Sequence, residues 1–178
     1  ALELQADHVR YQDLRARQVL FCEGPQAQYN PWFRTLPFRL VKGEMVSVTL
    51  QEPLSAIYNR RVFVAPRTGH RAVVGATYDW HDLSLTPTPK ARQTLEKQLQ
   101  RTFKLPYTIQ DQWAGIRPAT YDRRPLIGLH PQYPQLGLFN GLGTKGVSLA
   151  PYFAQVFADH LLLQASLPRE VQLNRNLK

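Results

Sequence analysis

The segment "NGLGTKGVSLAP", residues 140–151, constrains the fold more than any other stretch of the chain. Its glycines Gly141, Gly143 and Gly146 have the spacing G-x-G-x-x-G, which is typical of the phosphate-binding turn of a dinucleotide-binding domain. That turn needs a βαβ unit, with a second strand and an acidic residue about 20 residues downstream. Only 27 residues follow Pro151, and the tail "LPREVQLNRNLK" contains no convincing strand. We therefore expect these glycines to precede a helix for some purpose other than binding pyrophosphate.

Length and composition indicate a globular protein of about one domain. The chain has 178 residues, of which 43% are apolar, enough to bury a core. No stretch approaches the roughly 18 to 20 apolar residues of a membrane span, and the start "ALELQADHVR" lacks the features of a secretory signal. Cys22 is the sole cysteine, which excludes an internal disulfide and suits a reducing compartment. We therefore expect a cytoplasmic protein without a membrane partner.

The formal charge of +9 raises nucleic acid as a partner. The 22 basic residues are spread along the chain, however, and the densest patches are residues 59–71 and 90–104. The second patch is more simply explained as the solvated face of a helix. We therefore do not expect dedicated nucleic-acid binding.

Residues 46–103 predict an antiparallel sheet followed by one amphipathic helix. Short β-branched runs up to residue 78 are separated by turns at residues 59–60 and 68–69, which is the pattern of an antiparallel meander. Thr88 is then a good N-cap for a helix that begins at Pro89. Apolar residues recur every four positions along this helix and predict one buried stripe: Ala91, Leu95, Leu99 and Phe103.

The two ends of the chain predict further elements. "LGLFNG" is a short strand that leads into a C-terminal helix, with Ser148 as the N-cap and Pro151 in the first turn. The apolar stripe of this helix is Leu149, Phe153, Val156, Phe157 and Leu161. Near the start, "VLFC" (residues 19–22) has the composition of a buried parallel strand, yet no earlier βα unit is visible. The expected fold class is α+β, with a mixed, largely antiparallel sheet, flanking helices and a long C-terminal helix.

Residues 113–128, "WAGIRPATYDRRPLIG", contain a second motif, G-x-R-P-x-T-x-D-x-x-P-x-I-G. With the later glycine segment and its Ala-Pro, this motif resembles the C-terminal signature of the FAD-dependent D-amino acid oxidase and glycine oxidase superfamily. "VFVAPRTGHRAVVGAT" is similar to paired strands of that family's substrate domain, and "RQVLFCEG" to the last strand of its FAD domain. Many members have His at the position of Leu142 and a small residue at the position of Glu23.

The resemblance implies that the chain is the C-terminal half of such an oxidase, because the family's N-terminal dinucleotide turn is absent from it. Residues 1–40 would then end the FAD-binding domain and residues 41–112 would form the sheet and helix of the substrate domain. Residues 113–178 would return to the FAD-binding domain, which is incomplete. The expected macromolecular partner is the missing N-terminal FAD-binding segment, and we expect the chain alone to bind FAD weakly and to have no turnover.

The resemblance makes FAD the expected cofactor and the glycine segment part of its site. Glycines before a helix let the first N–H groups approach a ligand, and the helix end carries about half a positive charge. Such donors stabilise the negative charge that a hydride leaves on a flavin, and Lys145 would add a full charge. The expected flavin contacts are Gly24, Gly115, Gly141, Leu142, Gly143, Thr144, Lys145 and Gly146. The alternative interpretation is a glycine loop that only caps a core helix.

Arg117 corresponds to the arginine that, in the resembling enzymes, binds the substrate carboxylate. A planar guanidinium matches a carboxylate with two parallel hydrogen bonds. The alternative is a structural salt bridge, with Asp122 as a candidate partner. Tyr58 and Tyr78 are expected to line the substrate pocket, against the alternative that they only pack. No catalytic side chain and no metal ligand are assigned, and "DWHD" at residues 79–82 is expected to form a solvated loop.

The function expected from the resemblance is oxidation of the C–N bond of an amino acid or secondary amine by hydride transfer to flavin. The substrate is an amine that becomes an imine, which water then hydrolyses. One alternative is a basic binding module, associated with RNA, that keeps an oxidase-derived fold without the cofactor. Another is a separate subunit that completes a split oxidase by pairing with an N-terminal partner.

Overall fold

The computed structural model describes residues 2–175, which separate into two compact units. One unit contains the residues up to Leu40 and those from Arg117 onward, and the other runs from Val41 to Ile116. The strands are β1 (Leu2–Leu4), β2 (Val9–Tyr11), β3 (Leu14–Ala16), β4 (Val19–Phe21), β5 (Val41–Leu50), β6 (Tyr58–Arg60), β7 (Val62–Pro66), β8 (Arg71–Gly75), β9 (Tyr107–Arg117), β10 (Leu126–Leu129) and β11 (Leu136–Asn140). The α-helices are α1 (Pro89–Thr102) and α2 (Gly146–Leu163), and short 3₁₀ turns cover Gly24–Tyr29, Gly143–Lys145 and Arg169–Val171.

The unit from Val41 to Ile116 is built on a sheet with the strand order β6-β7-β8-β5-β9. β6, β7 and β8 pair antiparallel in succession, as predicted, but β5 pairs with β8 and not with β6. β5 lies between β8 and β9, and it is long and almost continuously buried. The turn predicted at residues 59–60 was placed too early: Asn59 and Arg60 are paired in β6, and the left-handed residue is Arg61, with a φ of 63°.

Helix α1 covers this sheet and confirms the predicted N-cap and apolar stripe. It begins at Pro89, and the Thr88 hydroxyl accepts a hydrogen bond from the backbone N–H of Ala91 at 3.2 Å. Leu95 and Leu99 are completely buried among the valines of β5, β7 and β8. The periodicity of the helix is therefore explained by packing against the sheet.

The other unit contains the β1-β2-β3 sheet and a mixed sheet of order β10-β11-β4. β10 and β11 form an antiparallel hairpin, and β11 pairs parallel with β4. The parallel pairing of the "VLFC" segment was predicted correctly, but its burial was not, because Leu20 is 43% exposed. β4 is the edge strand of this sheet among the described residues, so one side of it has no neighbour there.

Helix α2 follows β11 and packs on the mixed sheet through Phe157, whose ring stacks on Phe139. The prediction of Ser148 as N-cap was wrong. The 3₁₀ turn Gly143–Lys145 runs directly into the helix, so α2 already begins at Gly146 and the Ser148 hydroxyl donates to the carbonyl of Lys145 at 3.1 Å. Pro151 consequently lies inside the helix and not in its first turn. No helix within residues 2–175 is long and apolar enough to cross a membrane.

Candidate functional site

The glycine segment forms a tight connection between β11 and α2. Asn140, the last residue of β11, is buried, and its side-chain oxygen accepts a hydrogen bond from the N–H of Gly141 at 2.9 Å. The Asn140 side-chain nitrogen donates to the carbonyl of Gly24 at 2.8 Å. One amide side chain therefore joins the start of the glycine segment to the turn after β4. Sequence analysis missed Asn140, although a polar residue at the end of an apolar strand was a visible signal.

The two sequence motifs meet at this connection. Gly141 has a left-handed φ of 76°, and a Cβ on it would lie 3.0 Å from both the backbone nitrogen of Leu126 and the Cγ2 of Thr120. The N–H of Gly143 donates to the carbonyl of Pro118 at 3.3 Å. Because the arginine-containing motif supplies Pro118 and Thr120, the structure brings together two segments that lie more than twenty positions apart in the sequence.

The start of α2 presents exposed polar groups next to this junction. Thr144 and Lys145 are exposed, and Gly143 and Gly146 are half-buried. A helix N-terminus carries partial positive charge, to which the Lys145 ammonium adds. Beside Gly24 and Gly143 there is room for a group to approach the backbone, since a Cβ on Gly24 would contact nothing within 4 Å and one on Gly143 would meet only Ala119, at 3.5 Å. Leu142 is half-buried in the same loop.

An ion pair between a buried guanidinium and a partly exposed carboxylate fastens the arginine-containing motif to the C-terminal segment. The Arg175 guanidinium binds Asp122 with two hydrogen bonds, at 2.8 and 3.0 Å, and also donates to the carbonyls of Arg124, Pro125 and Gln172. Hydrogen bonding from Arg175 lowers the pKa of Asp122 to about 2. Arg175 was missed because the sequence around it has no periodic pattern.

Arg117 ends β9, immediately before Pro118, and is half-buried. Its carbonyl accepts a hydrogen bond from the N–H of Ala119 at 2.9 Å, which forms the turn that leads to the glycine junction. The backbone therefore connects the predicted carboxylate-binding arginine directly to the segment that packs on Gly141 and Gly143. Its role in binding a carboxylate stays a prediction.

The remaining predicted residues, Gly115, Tyr58 and Tyr78, lie in the unit from Val41 to Ile116. A Cβ on Gly115 would contact nothing within 4 Å. Tyr58 is exposed and packs edge-on against Phe103, with ring centroids 5.9 Å apart. Tyr78 is exposed and stacks on Trp80, with ring centroids 6.0 Å apart. Trp80 was not identified from the sequence. The two tyrosines thus pack against different aromatic partners, and their place in a substrate pocket stays a prediction.

The "DWHD" loop is anchored by a buried lysine that sequence analysis also missed. Lys42 is 1% exposed and donates to the Asp82 carboxylate and to the carbonyl of Thr86, both at 2.6 Å. The hydrogen bond from Lys42 holds the pKa of Asp82 at about 2. Glu44 lies 3.6 Å from the same ammonium and accepts hydrogen bonds from the N–H and hydroxyl of Thr88. No cluster of three metal-binding side chains occurs in the described part of the chain.

Two curated proteins match most of this chain in sequence. The chain is 32% identical over 129 residues to the glycine oxidase of Bacillus subtilis, covering 70% of this chain and 35% of that protein. It is 34% identical over 143 residues to the bifunctional protein ThiO/ThiG of Nostoc sp., covering 75% of this chain and 22% of that protein. The chain therefore spans about a third or less of these relatives.

Solved structures share the fold at lower sequence identity. The glycine oxidase of Geobacillus kaustophilus superimposes with a TM-score of 0.77 at 22% identity, covering 96% of this chain and 49% of that one. The iminodiacetate oxidase of Chelativorans sp. BNC1 gives a TM-score of 0.80 at 21% identity, covering 98% of this chain and 53% of that one. The model of the family described as "FAD dependent oxidoreductase" matches residues 2–160, and the chain therefore belongs to this family, DAO.

Proposed function

We propose that this chain is the C-terminal part of an FAD-dependent enzyme that oxidises the C–N bond of an amino acid or secondary amine. The junction of the two motifs carries the proposal, because Pro118 and Thr120 pack on Gly141 and Gly143 at the start of α2. The relatives include enzymes named glycine oxidase and D-amino acid dehydrogenase, which supports an amino acid as the substrate class.

The chain spans about half of the solved relatives, and we propose that an N-terminal segment such as theirs completes the flavin site. In this proposal residues 1–40 and 113–178 belong to the FAD-binding domain, and residues 41–112 form the substrate domain. Bound flavin would supply the acceptor for the hydride that leaves the carbon next to the substrate nitrogen.

The chain's own residues would contribute binding, orientation and charge. The N–H groups of Thr144 and Gly146, with the Lys145 ammonium, would hold negative charge at the start of α2, and Gly143 would let the backbone approach the ligand. Gly24, Gly115, Gly141 and Leu142 would provide backbone and apolar contacts at which the ring system fits closely. Arg117 would bind the substrate carboxylate with two hydrogen bonds and so orient the C–H bond. Tyr58 and Tyr78 are the proposed aromatic residues of the substrate pocket.

The test is a titration with FAD, followed by the visible spectrum and flavin fluorescence. It is run on the purified chain alone and on the chain supplied with the N-terminal segment of the Bacillus subtilis glycine oxidase. We expect weak binding and no turnover alone, and flavin capture when the segment is present. Capture in neither sample would contradict the proposal and would favour the basic binding module instead.

Arg117→Lys tests the substrate role in the flavin-loaded protein. A lysine keeps the charge but loses the planar pair of donors, so KM for an amino acid should rise at least about tenfold while the flavin spectrum is unchanged. Arg34→Lys, at an exposed position of the same unit, is the matched control. An unchanged KM in Arg117→Lys would show that this arginine does not bind the carboxylate.

A further inference from the structure

A cavity of about 530 Å³ lies in the unit that contains β10, β11 and α2. Its apolar wall includes Trp32 and Phe33, from the segment after β4, and Leu173, from the C-terminal segment. Its polar lining residues are Thr35, His130, His160, Ser166, Gln172 and Asn174. The volume falls within the range of about 300 to 1,000 Å³ that is common for small-molecule sites.

This cavity extends along most of β10, since its lining includes Ile127, Gly128 and Leu129 as well as His130. Leu126, at the start of β10, pairs with Asn140 beside Gly141. None of the proposed flavin contacts lines the cavity, which is therefore a separate site.

The cavity is lined without Asp, Glu, Lys or Arg among the described residues, although 20% of the chain is charged. A ligand that carries a carboxylate or phosphate would lose hydration there without gaining an ionic partner. The cavity therefore favours an uncharged ligand, which distinguishes it from a site for an amino acid or for FAD.

The hydrogen bonds of the two histidines define which ring nitrogens carry protons. The Nδ1 of His130 accepts from the N–H groups of Gln132 and Tyr133, both at 3.2 Å, so in the neutral ring Nε2 is a donor. The Nδ1 of His160 lies 2.7 Å from the carbonyl of Ala165, which can only accept, so the Nε2 of its neutral ring is an acceptor. One donor and one acceptor suit a hydroxyl group, which can both accept and donate.

We propose that this cavity binds an uncharged aromatic compound that carries a hydroxyl group. The ring would pack against Trp32 and Phe33, and the hydroxyl would interact with the two histidines. The proposal goes beyond the flavin chemistry and does not rest on it. The probe is 2-naphthol, an aromatic compound with one hydroxyl group. Binding of 2-naphthol without capture of FAD would mean that only the flavin proposal fails. Capture of FAD without binding of 2-naphthol would mean that only the cavity proposal fails.

The test uses 2-naphthol as the probe, with 2-naphthoate as the charged analogue and naphthalene as the analogue without a hydroxyl. Binding is followed by amide chemical shifts of the ¹⁵N-labelled chain, which also report that it is folded. We expect shifts at Gly128, His130 and Leu173, and binding at least about tenfold weaker for 2-naphthoate. His160→Phe keeps a ring in place and should abolish the preference for 2-naphthol over naphthalene.

Ser166→Trp places a large side chain at an exposed position of the cavity lining and should weaken 2-naphthol binding at least about tenfold. Ser55→Trp, at an exposed position of the other unit, is the matched control and should leave binding unchanged. The titration is repeated on the chain supplied with the glycine oxidase segment. Equal binding of 2-naphthol and 2-naphthoate, no effect of Ser166→Trp, or loss of binding in the completed protein would each overturn the proposal.

Discussion

Gly141 and Gly146 have different physical requirements although they belong to one motif. At Gly141 the backbone is left-handed, and a Cβ would lie 3.0 Å from the backbone nitrogen of Leu126. At Gly146 the φ is −53°, and the nearest atom to a Cβ would be the Cβ of Leu142 at 3.8 Å. The structure therefore requires glycine at the first position but accommodates a side chain at the second.

Gly141→Ala should lower the free energy of unfolding by about 1 to 3 kcal/mol, because the alanine is strained and crowded against backbone. Gly146→Ala should leave it unchanged or raise it by about 0.5 kcal/mol, since alanine favours a helix. Urea unfolding of both variants measures the difference. Equal losses at the two positions would contradict this assignment.

The Asp122–Arg175 pair predicts a pH dependence of stability. The pKa of Asp122 is about 2 in the folded chain, below its ordinary value of 3.8. The stabilisation is therefore present above about pH 4 and is lost as the pH falls toward 2. Its size is about 1 to 2 kcal/mol, allowing for screening by water at this partly exposed carboxylate.

Asp122→Asn should therefore destabilise the chain at pH 7 but differ little from the natural sequence near pH 2. Unfolding by urea across this pH range measures the change. Asp13→Asn, at an exposed position of a hairpin turn, should show no comparable pH-dependent difference. A constant difference between Asp122→Asn and the natural sequence at every pH would contradict the linkage.

At the level of elements, Lys42 connects β5 to the loop that precedes α1. Its buried ammonium binds Asp82 and Thr86, while Glu44, two residues along the strand, binds Thr88 at the start of α1. Removing the lysine would leave the buried carboxylate of Glu44 without its cation, which is costly, and would remove the partner of the partly exposed Asp82. The Lys42 side chain thus anchors the loop that carries Tyr78 and Trp80, in addition to the backbone hydrogen bonds between Lys42 and Asp79.

Lys42→Ala should loosen residues 80–87, between the backbone pairing of Asp79 and the contact of Thr88 with Glu44, and increase their amide hydrogen exchange by about tenfold or more. The natural chain and Lys97→Ala, which removes an exposed lysine from α1, provide the comparison. Exchange that rises equally throughout the unit would indicate general destabilisation, and exchange that does not rise in the loop would contradict the anchoring role.

At the level of the whole molecule, the charge of +9 is distributed over both units. Part of the positive charge is paired within the protein, since the side chains of Lys42 and Arg175 are buried and form ion pairs. A protein that binds nucleic acid through a dedicated surface neutralises many phosphates at once and shows a steep salt dependence. The distributed charge predicts that the chain associates weakly with nucleic acid and that this association depends only weakly on salt concentration.

A filter-binding assay with tRNA at increasing salt tests this expectation. We expect retention at low salt only and a log–log slope shallower than about −4. A steep slope with retention at about 0.2 M salt would favour the basic binding module over the oxidase proposal. Poly(dT) of similar length serves as the control for non-specific charge.

The sequence by itself determined the features that depend only on residues close to one another along the chain. Thr88, Pro89 and the four-residue period of α1 predicted a helix that the structure confirms, because capping and amphipathicity are local properties. The resemblance carried by the two motifs agrees with the family whose model matches residues 2–160. The start of α2 was misplaced because the preceding 3₁₀ turn merges with the helix.

Only the tertiary structure decided which distant residues meet. The packing of Thr120 on Gly141, the binding of Asp122 by Arg175 and the burial of Lys42 against Asp82 each join segments that are at least twenty positions apart. No local sequence pattern predicts such a contact, because neither residue of a pair is distinguished by its neighbours along the chain. The pairing of β5 with β8 could not be predicted from the sequence for the same reason. Strand order is set by burial and pairing in the whole sheet, not by the order of strands along the chain.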